Sequence, residues 1–128
     1  MSTDVSKVSA VHAFIIEDDY LISRSIQDML GELGFTSFSF ARSEDAAIAG
    51  ATGEDFDLIT VDAHLLPGDG IKAVGAICAG RRDIPVVFVT GYASEILERV
   101  PGAVIVEKPV TQTALQTAVF AVLAQREW

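Results

Sequence analysis

The 128-residue sequence contains one cysteine, Cys78. A single thiol closes no disulfide framework and builds no thiolate metal site. Its neighbours Ala76, Ile77 and Ala79 are apolar, so a buried structural thiol is expected. Cations are scarce too. Nine Lys and Arg stand against 18 Asp and Glu, for a formal net charge of −9. Binding through nucleic-acid phosphates or anionic lipid needs the opposite surplus, so neither nucleic acid nor membrane is expected as a partner. No apolar run approaches the length that spans a bilayer. Residues 1–10 lack the apolar segment of a signal peptide, and a cytoplasmic location is the simplest expectation. Internal repeats, linkers and low-complexity segments are missing as well. What is present is a chain of which 50% is hydrophobic. That excludes a disordered chain and suits one domain around one core.

Residues 1–10 read as a flexible N-terminal arm and residues 11–126 as the domain. The pattern alternates between branched or aromatic runs and helical periodicity. Strands are expected over 11–16, 36–40, 58–62, 86–89 and 103–106. The first helix carries Ile22, Ile26, Met29, Leu30 and Leu33 on one stripe, with Asp19 as its cap and Gly34 at its end. A second helix covers 44–51 behind Ser43. A third covers 71–79, with Ile71, Val74 and Ile77 on one side. A brief fourth covers 95–99 behind Ser94, and Thr111 caps the last, which points Leu115, Ala118, Val119, Val122 and Leu123 inward. Arg81, Arg82 and Asp83 form a polar loop. The βαβαβαβαβα order with right-handed crossovers gives an α/β fold, a parallel sheet with helices on both faces.

The stretch 57–62 is a buried strand that ends on one carboxylate, Asp62. In open α/β sheets ligands bind beyond the carboxyl ends of the strands. Other strand ends bring Glu17, Asp18 and Asp19, then Thr90, then Lys108 and Pro109. Acids, a hydroxyl and a lysine converging there point to phosphoryl transfer around Mg²⁺. Asp62 is the expected nucleophile. Glu17 and Asp18 are expected to hold Mg²⁺, which takes hard oxygen ligands. Lys108 neutralises the phosphoryl oxygens, and Thr90 donates a hydrogen bond to one of them.

With Glu17 and Asp18 after the first strand, Asp62 after the third, Thr90 after the fourth and Lys108-Pro109 after the fifth, the chain resembles the receiver domain of two-component response regulators over 11–126. The resemblance implies a flavodoxin-like (βα)5 three-layer sandwich with sheet order 2-1-3-4-5. It also implies Asp62 as phosphoacceptor, Asp18 and Asp62 as direct metal ligands, Glu17 acting largely through water, and the backbone carbonyl of His64 as a further ligand. Lys108-Pro109 is implied to be a cis peptide. Residues 85–92, through Pro85, Phe88, Thr90, Gly91 and Tyr92, are similar to the signature of the "FAT GUY" group of stand-alone alphaproteobacterial receivers. Val86 and Val89 depart from that signature.

Three further departures carry expectations. The segment between Thr90 and Lys108 is short, so the fourth helix should be short or irregular. Ile105 stands where many receivers place a rotating aromatic. Pro67 comes one residue late in the turn after Asp62, while Gly70 keeps its spacing. Tyr92, two residues beyond Thr90, is then the candidate partner of Thr90 in a switch.

The resemblance implies a signalling protein that catalyses only its own phosphorylation and dephosphorylation. Its partners would be a sensor histidine kinase or histidine phosphotransferase and a downstream protein. Alternatives are a pseudo-receiver with an idle site, or the receiver segment of a hybrid histidine kinase. An aspartyl-nucleophile phosphatase usually needs an acid two residues after the nucleophile, where this chain has His64. An FMN-binding flavodoxin needs a Ser/Thr/Gly-rich loop where this chain has acids. His12 reads as structural, Tyr20 and Trp128 as packing or surface residues, and Phe35, Phe38, Phe40 and Phe56 as core or near-core.

Overall fold

A computed structural model describes residues 12–81 and 84–126. The expected arm at 1–10, Arg82, Asp83 and Trp128 lie outside the described residues. Among the described residues ten elements alternate in chain order: β1 (His12–Ile16), α1 (Tyr20–Glu32), β2 (Ser37–Ala41), α2 (Glu44–Gly50), β3 (Leu58–Asp62), α3 (Gly70–Cys78), β4 (Val86–Thr90), α4 (Ala93–Arg99), β5 (Val104–Glu107) and α5 (Gln112–Arg126). All neighbouring strands pair in parallel, in the order β2-β1-β3-β4-β5. This is the flavodoxin-like sandwich that the resemblance implies. Among the described residues no helix is long and apolar enough to cross a membrane.

Successive side chains on a strand point to opposite faces, so each inner strand feeds two cores. Ala13 and Ile15 of β1, Leu58 of β3, and Val87 and Val89 of β4 face α1 and α5, where they meet Ile26, Leu30, Leu33, Leu115 and Val119. Phe14, Ile16, Ile59, Val61 and Phe88 face the other way, against Ala47, Ala73, Val74, Ile77 and Ile96 of α2, α3 and α4. The central strand β3 is buried along its whole length. Its sequence accordingly does not alternate: Leu58, Ile59 and Val61 are apolar, with only Thr60 between them before Asp62.

Asp19 caps α1 by accepting from the amides of Leu21 and Ile22. Ser43 caps α2, and the Thr111 hydroxyl accepts the Ala114 amide at the start of α5. The chain leaves α1 through Gly34, whose φ of 109° favours glycine. α4 is short, as expected, at seven residues.

Several sequence expectations need correction. β2 and β5 are each shifted one residue along the chain, β4 runs on to Thr90, α2 stops at Gly50, α3 opens one residue earlier at Gly70 and α4 opens at Ala93. Ser94 does not cap α4. The Thr90 hydroxyl takes the Tyr92 amide, the turn starts earlier, and Tyr92 is the cap position without a side-chain cap bond. Phe40 is 49% exposed, on the edge strand β2. Cys78, the last residue of α3, is half-buried and packed against the core rather than enclosed by it. Burial still pushes its thiol pKa up, against the nearby Arg81 charge.

Candidate functional site

β1 and β3 are neighbours in the sheet, and the chain departs from their ends toward opposite faces. The carboxyl ends of these strands form the topological switch point of an open α/β sheet. Glu17 and Asp18 follow β1 directly and Asp62 ends β3. One carboxylate oxygen from each lies within 4.8 Å of the other two. Glu17 is only 1% exposed, Asp62 is buried and Asp18 is half-buried. Lys108, just past β5, reaches the same point. Its Nζ donates to Asp62 Oδ2 at 3.0 Å and lies 3.2 Å from Glu17 Oε1. The Lys108 amide donates to the Thr90 carbonyl at 2.9 Å, which fixes the end of β5 against the end of β4. The peptide bond from Lys108 to Pro109 is cis, as the resemblance implies.

Backbone amides hold each acid. Asp62 Oδ1 accepts the His64 amide at 3.0 Å, Asp18 Oδ2 the Leu66 amide at 3.0 Å, and Glu17 Oε2 the Asp19 amide at 3.1 Å. Arg42 donates to the Asp18 carbonyl at 3.1 Å. Gly70 makes the turn after Asp62 fit. A Cβ there would lie 1.9 Å from the Asp62 carbonyl oxygen, so no other residue can close this approach. Gly68, with φ of 118°, packs against Glu44 in the same turn.

The electrostatics are unbalanced, with three carboxylates and one ammonium. Burial, and then the Asp62 charge, push the Glu17 pKa up to about 8; the Asp19 amide and Lys108 oppose the rise. Lys108 moves the other way from what its own burial would do. Its hydrogen bond to Asp62 and the charges of Glu17 and Asp62 outweigh desolvation and raise its pKa, so it stays charged. Glu17 Oε1 is buried and makes no hydrogen bond, although the Lys108 charge is close. A buried orphaned carboxylate oxygen beside two more carboxylates is the donor set of a hard divalent cation.

The fold therefore gathers Glu17, Asp18, Asp62 and Lys108. Thr90 is fully buried at the neighbouring strand end, and its hydroxyl accepts the Tyr92 amide at 2.9 Å. Tyr92 is 62% exposed, and its ring meets the His64 ring edge-on at 5.0 Å. The His64 ring is at the rim, where its Nε2 bonds Glu95 at 3.1 Å. His12 belongs to the opposite end of the sheet, bonded to Ser37 and Ser39 and stacked on Phe56.

Sequence reasoning missed Glu44, Asp69 and Arg99, which brace the turn after Asp62. Glu44 Oε1 accepts the Asp69 amide at 2.9 Å. Asp69 caps α3 through the amides of Ile71 and Lys72 and pairs with Arg99. Burial alone would raise the Asp69 pKa, but these amides and the guanidinium lower it. An aspartate directly before an apolar helical stripe is a readable cap signal; the partners of Glu44 and Arg99 are not readable.

Residues 13–120 match the family described as the response regulator receiver domain. The chain belongs to this family. Over 85 residues the receiver is 35% identical to the C4-dicarboxylate transport transcriptional regulatory protein DctD of Rhizobium meliloti (strain 1021), a stretch covering 66% of this chain and 18% of DctD. Among solved structures it resembles the response regulator PhyR from Brucella abortus, with a TM-score of 0.86 and 29% identity over 95% of this chain and 51% of that one. The receiver domain of Erythrobacter litoralis PhyR superposes with a TM-score of 0.81 at 30% identity, covering 90% of this chain and 91% of that one. The chain thus spans about half of PhyR from Brucella abortus and under a fifth of DctD. Receiver domains are signalling domains, and the acidic cluster of this one lies where the family typically binds Mg²⁺.

Proposed function

We propose that residues 11–126 form a single-domain response regulator, which accepts a phosphoryl group on Asp62 from the phosphohistidine of a sensor histidine kinase or a histidine phosphotransferase. The observation that carries this reading is the contact of Lys108 Nζ with Asp62 Oδ2 inside a buried cluster of acids. In the transfer, an Asp62 oxygen forms a P–O bond as the P–N bond breaks, and the imidazole leaves with that electron pair. Little covalent chemistry is asked of the protein beyond position and charge. The Lys108 ammonium faces the nucleophile and compensates the incoming phosphoryl oxygens. Asp18 and Asp62, the Glu17 carboxylate through water and the His64 carbonyl are the groups that would hold Mg²⁺. When bound, that ion supplies the remaining positive charge. The acidic donors and the orphaned Glu17 oxygen suit it.

Thr90 is the proposed switch hydroxyl. Its oxygen already accepts the Tyr92 amide, so drawing Thr90 toward a phosphoryl group moves Tyr92 with it. The exposed Tyr92 ring then changes the surface offered to a downstream protein and screens the acyl phosphate from water. The cytoplasm is the proposed location, and the Thr90-Gly91-Tyr92 run supports a place in the FAT GUY group. A second reading, the receiver segment of a longer protein such as a hybrid histidine kinase, is favoured by the partial coverage of DctD and PhyR.

Incubation with acetyl phosphate and Mg²⁺ followed by intact mass tests the proposal. One Mg²⁺-dependent phosphoryl adduct is expected in the wild type and none in Asp62→Ala. A wild type that gains no adduct is a pseudo-receiver, and the proposal fails.

A further inference from the structure

The turn between Asp62 and α3 is pinched at its base, where His64 and Asp69 form an antiparallel bridge. α4 meets this turn on both sides of the pinch. His64 Nε2 lies 3.1 Å from Glu95 Oε2, and Arg99 Nη2 donates to Asp69 Oδ2 at 2.9 Å. Glu95 and Arg99 are one helical turn apart and stand on the same side of α4.

The same turn carries backbone amides that touch two of the three acids. The His64 amide donates to Asp62 Oδ1 and the Leu66 amide to Asp18 Oδ2, each at 3.0 Å. Asp69 at the far side is tied to α2 through Glu44 and to α3 through its own cap bonds. Any displacement of α4 therefore pulls on His64 and Asp69, and through the turn on the amides at Asp62 and Asp18. Coupling between sites is reciprocal, so a change at Asp62 is returned to α4 along the same contacts.

We infer that Glu95 and Arg99 are positioning residues for the phosphoacceptor site, acting through His64 and Asp69. The inference rests on the proposed acceptance of a phosphoryl group at Asp62. Each pair is partly exposed and adds little to global stability. The expected signature is thus a local effect without a matching loss of fold.

The test is the double variant Glu95→Gln/Arg99→Gln beside a control, Arg24→Gln, which breaks an exposed pair with Asp28 on α1. Amide hydrogen exchange at His64 and Leu66 should speed up by about fivefold in the double variant, and the rate of phosphorylation by acetyl phosphate should fall by about fivefold, the range open to two surface pairs. Melting temperature should change no more than in the control. Glu95→Gln/Arg99→Lys should recover part of both losses, since a cation again faces Asp69. Unchanged exchange at His64 and Leu66 overturns the inference, as does an equal loss in the control. Faster exchange with an unchanged phosphorylation rate overturns it too. A wild type that takes no phosphoryl group overturns the proposed function instead; the exchange result then decides the contact between α4 and the turn by itself.

Discussion

Glu17 is a carboxyl whose surroundings disfavour its ionised form. Its pKa rises from an ordinary 4.5 to about 8, first because it is buried and then because Asp62 is near. An acid that binds its proton more tightly when folded favours the folded state most below its unfolded value. That contribution is lost as pH climbs through the folded value. Metal-free protein should therefore lose stability between about pH 4.5 and pH 8, as followed by thermal melting across that window. Glu17→Gln should flatten the profile, and millimolar Mg²⁺ should do the same by favouring the ionised form. A wild-type profile that rises over the window would contradict this account of the cluster. The identity of these acids was legible in the sequence, because each ends a strand. The depth of Glu17 was not. An acid read as acting through water proves to be more buried than the nucleophile, and that follows from packing between β1, β3 and the Lys108 side chain.

Arg81 ties two elements that are far apart in sequence. It follows α3, yet its guanidinium donates to the carbonyls of Ala51, the C-cap of α2, and of Glu54 in the loop beyond it, at 2.8 Å each. Carbonyls at a helix C-terminus lack intrahelical donors and carry the negative end of its dipole. Arg81→Ala should destabilise the domain by about 1 kcal/mol and speed amide exchange in α2. Arg81→Lys should restore only part, because one ammonium does not match a two-carbonyl fork. Urea denaturation of the three proteins measures this, and an unchanged midpoint in Arg81→Ala would remove the contact from the energetics. Such links explain where sequence reading succeeded and where it stopped. Periodicity placed the strands and helices, and caps such as Asp19, Ser43 and Thr111 fixed helix starts. Ser94 looked like a cap of the same type, but the Thr90 hydroxyl had already started the turn. Arg81 looked like a loop cation, since its partners are carbonyls that any sequence would supply.

The charge of the whole molecule is −9, and its three site acids are only part of that. General self-repulsion is screened by any salt, whereas binding to the folded cluster adds stability by mass action. At matched ionic strength, MgCl₂ should thus raise the melting temperature above the value in KCl, and Asp18→Asn should remove most of that difference. Equal melting temperatures in the two salts would mean that the cluster does not bind the cation.

The two faces of the sheet are built from helices of unequal length. On one side lie α1 and α5, with 13 and 15 residues; on the other lie α2, α3 and α4, with seven, nine and seven. Helices of two turns have little stability of their own and depend on what they pack against. The molecule is therefore mechanically lopsided, a stiff backing on one side and a compliant one on the other, with the acid cluster on the seam. Low-stability elements are the ones that open first. A stimulus at the seam should travel outward on the compliant side, through α4 and α3, while α1 and α5 stay still and serve as the frame against which that movement is made.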